Sequence, residues 1–226
     1  MSETSTDFSL KRIDALARCV VALGACGVWY HRIVIEGAHN LPQEGAALLL
    51  PKHHAYRDIL LEGVLLRRIT GRYATYVMKA GLWGFIERLG GLRVVRPKDI
   101  RRIADREERR REIARARAAN QNMQDYLSGL YSHGEVVISH PEGMRIQGEM
   151  GLLQKEIIEH VVKVEQQLGI RVPLIPIGME YESYARPKAR AYFRVDEPFY
   201  ADEFADVSGV MDYLDDRLRI LSGLSQ

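Results

Sequence analysis

The fold is read from Ala46-Ala47-Leu48-Leu49-Leu50-Pro51-Lys52-His53-His54-Ala55-Tyr56-Arg57-Asp58. Its opening run is apolar with no polar alternation, which suits a strand buried on both faces, as in a sheet covered by helices. Pro51 ends the run, and a polar loop leads into a segment carrying Asp58, Leu61, Val64 and Leu65 at helical spacing. The end of a buried strand, opening into a helix, is where α/β proteins place reactive groups.

The same alternation extends in both directions. Ile33 to Ile35, Tyr73 to Met78, Leu92 to Val95, Val136 to Ser139, Leu174 to Ile177 and Ala191 to Val195 read as strands. Leu82 to Leu89 reads as a short helix, and Ile100 to about Tyr131 as a long one with a break near Asn120-Gln121-Asn122. Leu152 to Leu168 is an amphipathic helix ending at Gly169, a left-handed cap position, and Met211 to Leu221 closes the chain. This pattern predicts an α/β fold: a single layered domain with a mixed, largely buried β-sheet flanked by helices. An N-terminal apolar helix precedes it, dividing the chain into residues 1–31 and an α/β domain over 32–226. With 226 residues, 46% of them hydrophobic, the chain is long enough for a substantial core. Neither a disordered nor a low-complexity composition fits, and a net charge of +2 says little about partners.

Cys19 to Tyr30 carries no charge, but twelve helical residues reach only about 18 Å, short of the roughly 30 Å hydrocarbon core. The segment cannot span a membrane. With Lys11, Arg12 and Arg18 before it and Trp29-Tyr30 at its end, it reads as a helix lying in a membrane surface; a cover for the domain's own core is the competing reading. Cys19 and Cys26 lie two turns apart, too far for a disulfide, and are expected to be small buried hydrophobes in a reducing compartment.

Three segments carry chemistry. Lys52 to Asp58 offers two histidines that can titrate near neutral pH and a carboxylate that can hold a ring nitrogen. On an uninterrupted helix His54 faces Asp58; His53 does so only if the helix starts after it. Ser139-His140-Pro141-Glu142-Gly143-Met144-Arg145 follows another buried strand. Pro141 and Gly143 shape a tight loop from which Glu142 and Arg145 project, with an ordinary Glu-Arg surface pair as the alternative. Gly90-Gly91-Leu92-Arg93-Val94-Val95-Arg96, with Lys79 upstream, adds cations; Arg96, Arg145 and Lys79 near one His-Asp pair specify a phosphorylated substrate. From Lys98 to Arg117 there are nine basic and five acidic residues, which suit either a solvated helix or a surface for anionic lipid or carrier protein. Aromatics are not interleaved with these charges, so no nucleic acid is expected.

The order of these segments resembles the glycerolipid acyltransferase superfamily typified by lysophosphatidate acyltransferases, from about Val34 to Phe199. Lys52 to Asp58 matches the block Asn-His-x-Ser-x-x-Asp with His53 and Asp58 in register, and Gly90 and Arg96 match a glycine followed six residues later by arginine. His140 to Arg145 matches Phe-Pro-Glu-Gly-Thr-Arg, and Val172-Pro173-Leu174-Ile175-Pro176-Ile177 matches a Val-Pro-Ile-x-Pro-Val strand.

The resemblance implies that His53 is a general base and Asp58 its orienting carboxylate, with no acyl-enzyme, no metal and no cofactor. Acyl-CoA or acyl carrier protein is the implied donor and a lysophospholipid the acceptor, at the cytoplasmic, inner face of the membrane. Arg96 and Arg145 are implied to hold the acceptor phosphate, Glu142 to lie near its glycerol part and Pro173 to help shape a pocket. Lys52, Ala55, Arg93, Val95, His140 and Met144 depart from the pattern. Extra positive charge at Lys52 and Arg93 is expected to favour an anionic partner. A non-catalytic lipid-binding protein is the alternative. A metal-dependent hydrolase using His53, His54, Asp58, His140 and Glu142 is disfavoured, since no tight ligand motif appears.

Overall fold

The computed structural model describes residues 8–28, 30–79, 91–94, 100 and 104–224. Among them, seven strands form one sheet: β1 (Arg32–Glu36), β2 (Ala47–Pro51), β3 (Ala74–Lys79), β4 (Leu92–Val94), β5 (Val136–Ser139), β6 (Leu174–Tyr181) and β7 (Arg190–Val195). Their order is β1-β7-β6-β2-β5-β3-β4. The five strands from β6 to β4 run parallel, while β7 lies antiparallel to β6 and pairs with β1 in parallel. The sheet is therefore mixed, with β2 near its centre.

Helices α1 (Asp14–Val28), α2 (Tyr56–Thr70), α3 (Arg106–Ser132), α4 (Glu156–Leu168) and α5 (Val207–Leu221) cover the two faces. Leu48 and Leu50 share a core with Leu127 and Leu130 of α3, Ile158 and Val161 of α4, and Leu214 and Leu218 of α5. Ala47 and Leu49 face the other way, toward Leu61, Val64 and Leu65 of α2. Hence the run has no polar alternation: each aliphatic side chain buried on either face contributes about 1.5–3 kcal/mol. The first helix packs on α2 at Gly24, where an added Cβ would lie 3.1 Å from Val64 Cγ2.

Several boundaries differ from expectation. The long helix starts at Arg106, because Asp105 is extended and its carboxylate accepts from the Glu108 amide at 2.6 Å, capping the helix there. It runs unbroken through Asn120–Asn122, where Gln121 donates to Asp125 one turn on at 2.8 Å. Helix α4 begins at Glu156, with Leu152 exposed in the loop before it. Helix α5 begins at Val207, capped by Asp206, and β6 continues to Tyr181. The first helix begins at Asp14, and Cys19 lies on its exposed side rather than in the core. Gly169 takes the expected left-handed cap, with φ +65°. The expected helix over Leu82 to Leu89 lies outside the described residues.

Candidate active site

The loops after β2 and β5 leave neighbouring strands at their carboxyl ends and meet there, the Ile146 amide donating to the His53 carbonyl at 3.0 Å. Asp58 stands in the first turn of α2 beneath them, fully buried. Its Oδ2 accepts from the His54 and Ala55 amides, each at 2.6 Å, and from His53 Nδ1 at 3.2 Å. Its Oδ1 accepts from the Tyr181 hydroxyl at the end of β6, at 2.6 Å. Burial alone would push this carboxyl up; the hydrogen bonds from His53, Tyr181 and Ala55 outweigh it and hold Asp58 below the usual carboxylate range. Burial, then the charge of Asp58, raises the Tyr181 phenol, which stays a neutral donor.

Which histidine ring meets Asp58 follows from where the helix begins. Helix α2 starts at Tyr56, so both histidines lie in the preceding loop and the helical register favouring His54 does not apply. His54 turns its Nε2 to the Met179 carbonyl at 2.6 Å, and its Nδ1 is buried without a hydrogen-bond partner among the described residues. His53 gives its Nδ1 to Asp58, and among the described residues no protein group bonds its Nε2. Burial pulls the His53 imidazole below its ordinary value, partly offset by the Asp58 hydrogen bond. At neutral pH it is an oriented ring with a lone pair on Nε2.

Glu142 does not project from its loop as expected. It points inward with a fully buried side chain, and its oxygens accept from Lys52 Nζ at 2.7 and 2.8 Å, from the Gly151 amide at 2.7 Å and from the His53 amide at 3.3 Å. Lys52 Nζ also donates to the Ile146 carbonyl at 2.9 Å. The expectation that Lys52 offers charge to an anionic partner is thus corrected: its cation is neutralised inside the protein. Nor does Glu142 form the surface pair with Arg145. Arg145 is exposed, its guanidinium 3.6 Å above the centre of the Tyr56 ring. Gly143 makes the tight turn with φ +61°.

Two further residues complete the surroundings of His53. The His140 ring stacks on the His53 ring with centroids 4.0 Å apart, and its Nε2 bonds Glu62 Oε1 of α2 at 3.1 Å. Sequence reasoning missed Glu62 and Tyr181 entirely. It also missed Gly151, whose missing side chain lets the backbone reach Glu142; an added Cβ would lie 3.0 Å from Glu142 Oε1. Pro173 is not at the site. It precedes β6 at the amino end, its carbonyl accepting from Leu48, a strand length from His53. Gly90 and Arg96 lie outside the described residues, as does the side chain of Lys79 at the end of β3. Among the described residues, no group of three His, Cys, Asp or Glu side chains is arranged to hold a metal.

The site thus presents an imidazole oriented by a buried carboxylate at the carboxyl ends of the parallel strands. The Acyltransferase family model matches residues 32–180, and the chain belongs to this family. In fold it is similar to the crystal structure of the 1-acyl-sn-glycerophosphate (LPA) acyltransferase PlsC from Thermotoga maritima. The TM-score is 0.61 at 15% identity, covering 92% of this chain and 78% of that one. No curated protein sequence is significantly similar.

Proposed function

We propose that the protein moves a fatty acyl group from acyl-CoA or acyl carrier protein to the hydroxyl of a phosphorylated, lysophosphatidate-like lysolipid. His53 Nε2 takes the proton of the acceptor hydroxyl as its oxygen attacks the thioester carbonyl. The carbon–sulfur bond then breaks, and the thiolate leaves with the proton that His53 returns. Asp58 holds the ring through Nδ1 and balances the imidazolium that forms. No acyl-enzyme and no cofactor is needed, because a thioester is already activated and the enzyme's task is positioning plus one base. Arg145, Arg96 and Lys79 are the cations we assign to the acceptor phosphate. Glu142 acts instead through the loop, by holding Lys52 and the His53 amide.

The observation that carries this reading is the division of labour between the histidines. Among the described residues, only His53 has a ring nitrogen on Asp58 and its other ring nitrogen uncommitted. Thiol release from acyl-CoA, measured with and without lysophosphatidate, tests it. His53→Ala is expected to lose activity by at least about a hundredfold, the usual share of a general base. His54→Ala is expected to keep a measurable rate. Full activity in His53→Ala, or acceptor-independent thiol release, defeats the proposal.

We further assign the cytoplasmic membrane surface as the place of action. No helix among the described residues is long and apolar enough to cross a membrane. Yet α1 leaves Leu23 73% exposed, and Leu60 of α2, which packs near Gly24 of α1, is 46% exposed. Beyond α1, Tyr30 lies against Arg57, so the helix runs toward the end of α2 that carries Asp58. Flotation with anionic vesicles is expected to weaken about tenfold or more for Leu23→Glu, the equivalent of one lost buried leucine. Unchanged flotation removes α1 from the membrane contact.

A further inference from the structure

His140 stands where the family block has phenylalanine, and its surroundings are those of a charged ring rather than an aromatic spacer. The ring is nearly buried, packed face to face on His53, and its Nε2 is within 3.1 Å of a carboxylate that is itself 2% exposed. Glu62 is held from α2, one turn beyond Asp58, so helix α2 supplies one buried carboxylate to each of two stacked imidazoles. The other oxygen of Glu62 has no hydrogen-bond partner among the described residues, leaving His140 as its compensating group. A phenylalanine in this place would stack equally well but would give Glu62 nothing.

We propose that His140, held as an imidazolium by Glu62, is a positioning residue for the base. It clamps one face of the His53 ring and sets the pH at which that ring is free to accept a proton. The physical argument is the proximity of like charges. A cation stacked at 4.0 Å makes a second proton on His53 costly, so His53 stays neutral to lower pH than burial and Asp58 alone would allow. The groups bearing on the pair agree with that assignment. Burial works against a charged His140, but Glu62, then Asp58 and Glu142, draw it above its ordinary value. For His53 the nearest cation is His140, opposed by Glu62 and Asp58. Lys52 is cancelled by Glu142, and Tyr76 of β3 is raised by its burial and by Glu62, so it contributes a neutral hydroxyl.

The inference leans on the acyl-transfer reading for its kinetic arm alone; its other arm needs no activity. Full-length protein carrying carbon-13 at histidine Cε1 is titrated by NMR, with resonances assigned from single histidine variants. His140 is expected to remain protonated at a pH where His53 is neutral, and in His140→Phe the His53 titration is expected to move to higher pH. If that variant does not fold, His140→Phe/Glu62→Leu removes both charges. The nearer one is the imidazolium, so the shift keeps its direction and is smaller. A His53 midpoint that stays put or falls in whichever variant folds overturns the proposal, as does a neutral His140 beside a charged His53. In kinetics, the acid limb of kcat/KM is expected to shift to higher pH with the plateau little changed. A clamp with no electrostatic role would leave the limb in place as well, since phenylalanine stacks equally well, and that result overturns the proposal. Wild-type protein with no acyl transfer sinks the functional reading while the NMR arm still decides this one.

Discussion

Two buried ion pairs flank His53, and they are built differently. Lys52 and Glu142 satisfy each other completely: the ammonium has three acceptors, and each carboxylate oxygen meets the ammonium and a backbone amide. Glu62 and His140 share one bond, and the second Glu62 oxygen has no partner among the described residues. A fully bonded pair has one favoured geometry and holds the backbone; here it ties the β2 loop to the β5 loop. A half-bonded pair acts mainly through its field, on whatever ring it touches. Position and protonation of the same histidine are thus governed from opposite sides.

That contrast predicts unequal costs when each pair is broken. Lys52→Met removes three hydrogen bonds and leaves the buried Glu142 without its counter-ion, and is expected to destabilise by about 3–5 kcal/mol. His140→Phe keeps the stacked ring and removes one hydrogen bond where Lys52→Met removes three, so its cost is expected near 1–3 kcal/mol. Urea midpoints of both variants in one buffer, at unchanged slope, measure the difference. Equal costs would remove the distinction between strut and field.

What could be read from the sequence follows from how far apart the partners are in the chain. His53 and Asp58 share one short segment after one apolar run, so the hydrogen-bonded pair and the covered sheet are both legible there. Even so, its register is not: helical spacing points to His54, and only the family block chooses His53. The start of α2 at Tyr56, invisible in an alanine-tyrosine junction, is what decides it. Tyr181 lies 123 positions from Asp58 and Glu62 lies 78 from His140. They meet because β6 and β5 flank β2 in the folded sheet and α2 follows directly from β2, and pattern along a chain does not encode that adjacency. Lys52 and Glu142 misled for another reason. A charged residue in a loop beside a reactive histidine reads as reaching for substrate, and nothing local announces a buried partner 90 positions away. Pro173 shows the limit of motif register: it directly precedes the strand beside β2, β6, but at the end remote from the chemistry.

The smallest expected effect is on the third side of His53, where Asp58 has four donors and loses only one in Tyr181→Phe. A hydrogen bond to a charged group contributes about 1.5–3 kcal/mol, and the three remaining donors keep the loss toward the lower figure. The pH dependence identifies its source. Asp58 has a folded pKa below its ordinary value of 3.8, so its contribution is present above 3.8 and is lost as the pH falls through the folded value. Removing Tyr181 takes away one of the bonds that depress it. The folded value then rises toward 3.8, and the acid loss of stability begins at higher pH than in the wild type. Urea midpoints followed from neutral pH into the acid range should converge for the two proteins once Asp58 is protonated in both. A deficit that stays constant down to acid pH would mean that the tyrosine contributes packing alone, and that its hydroxyl adds nothing to the charge on Asp58.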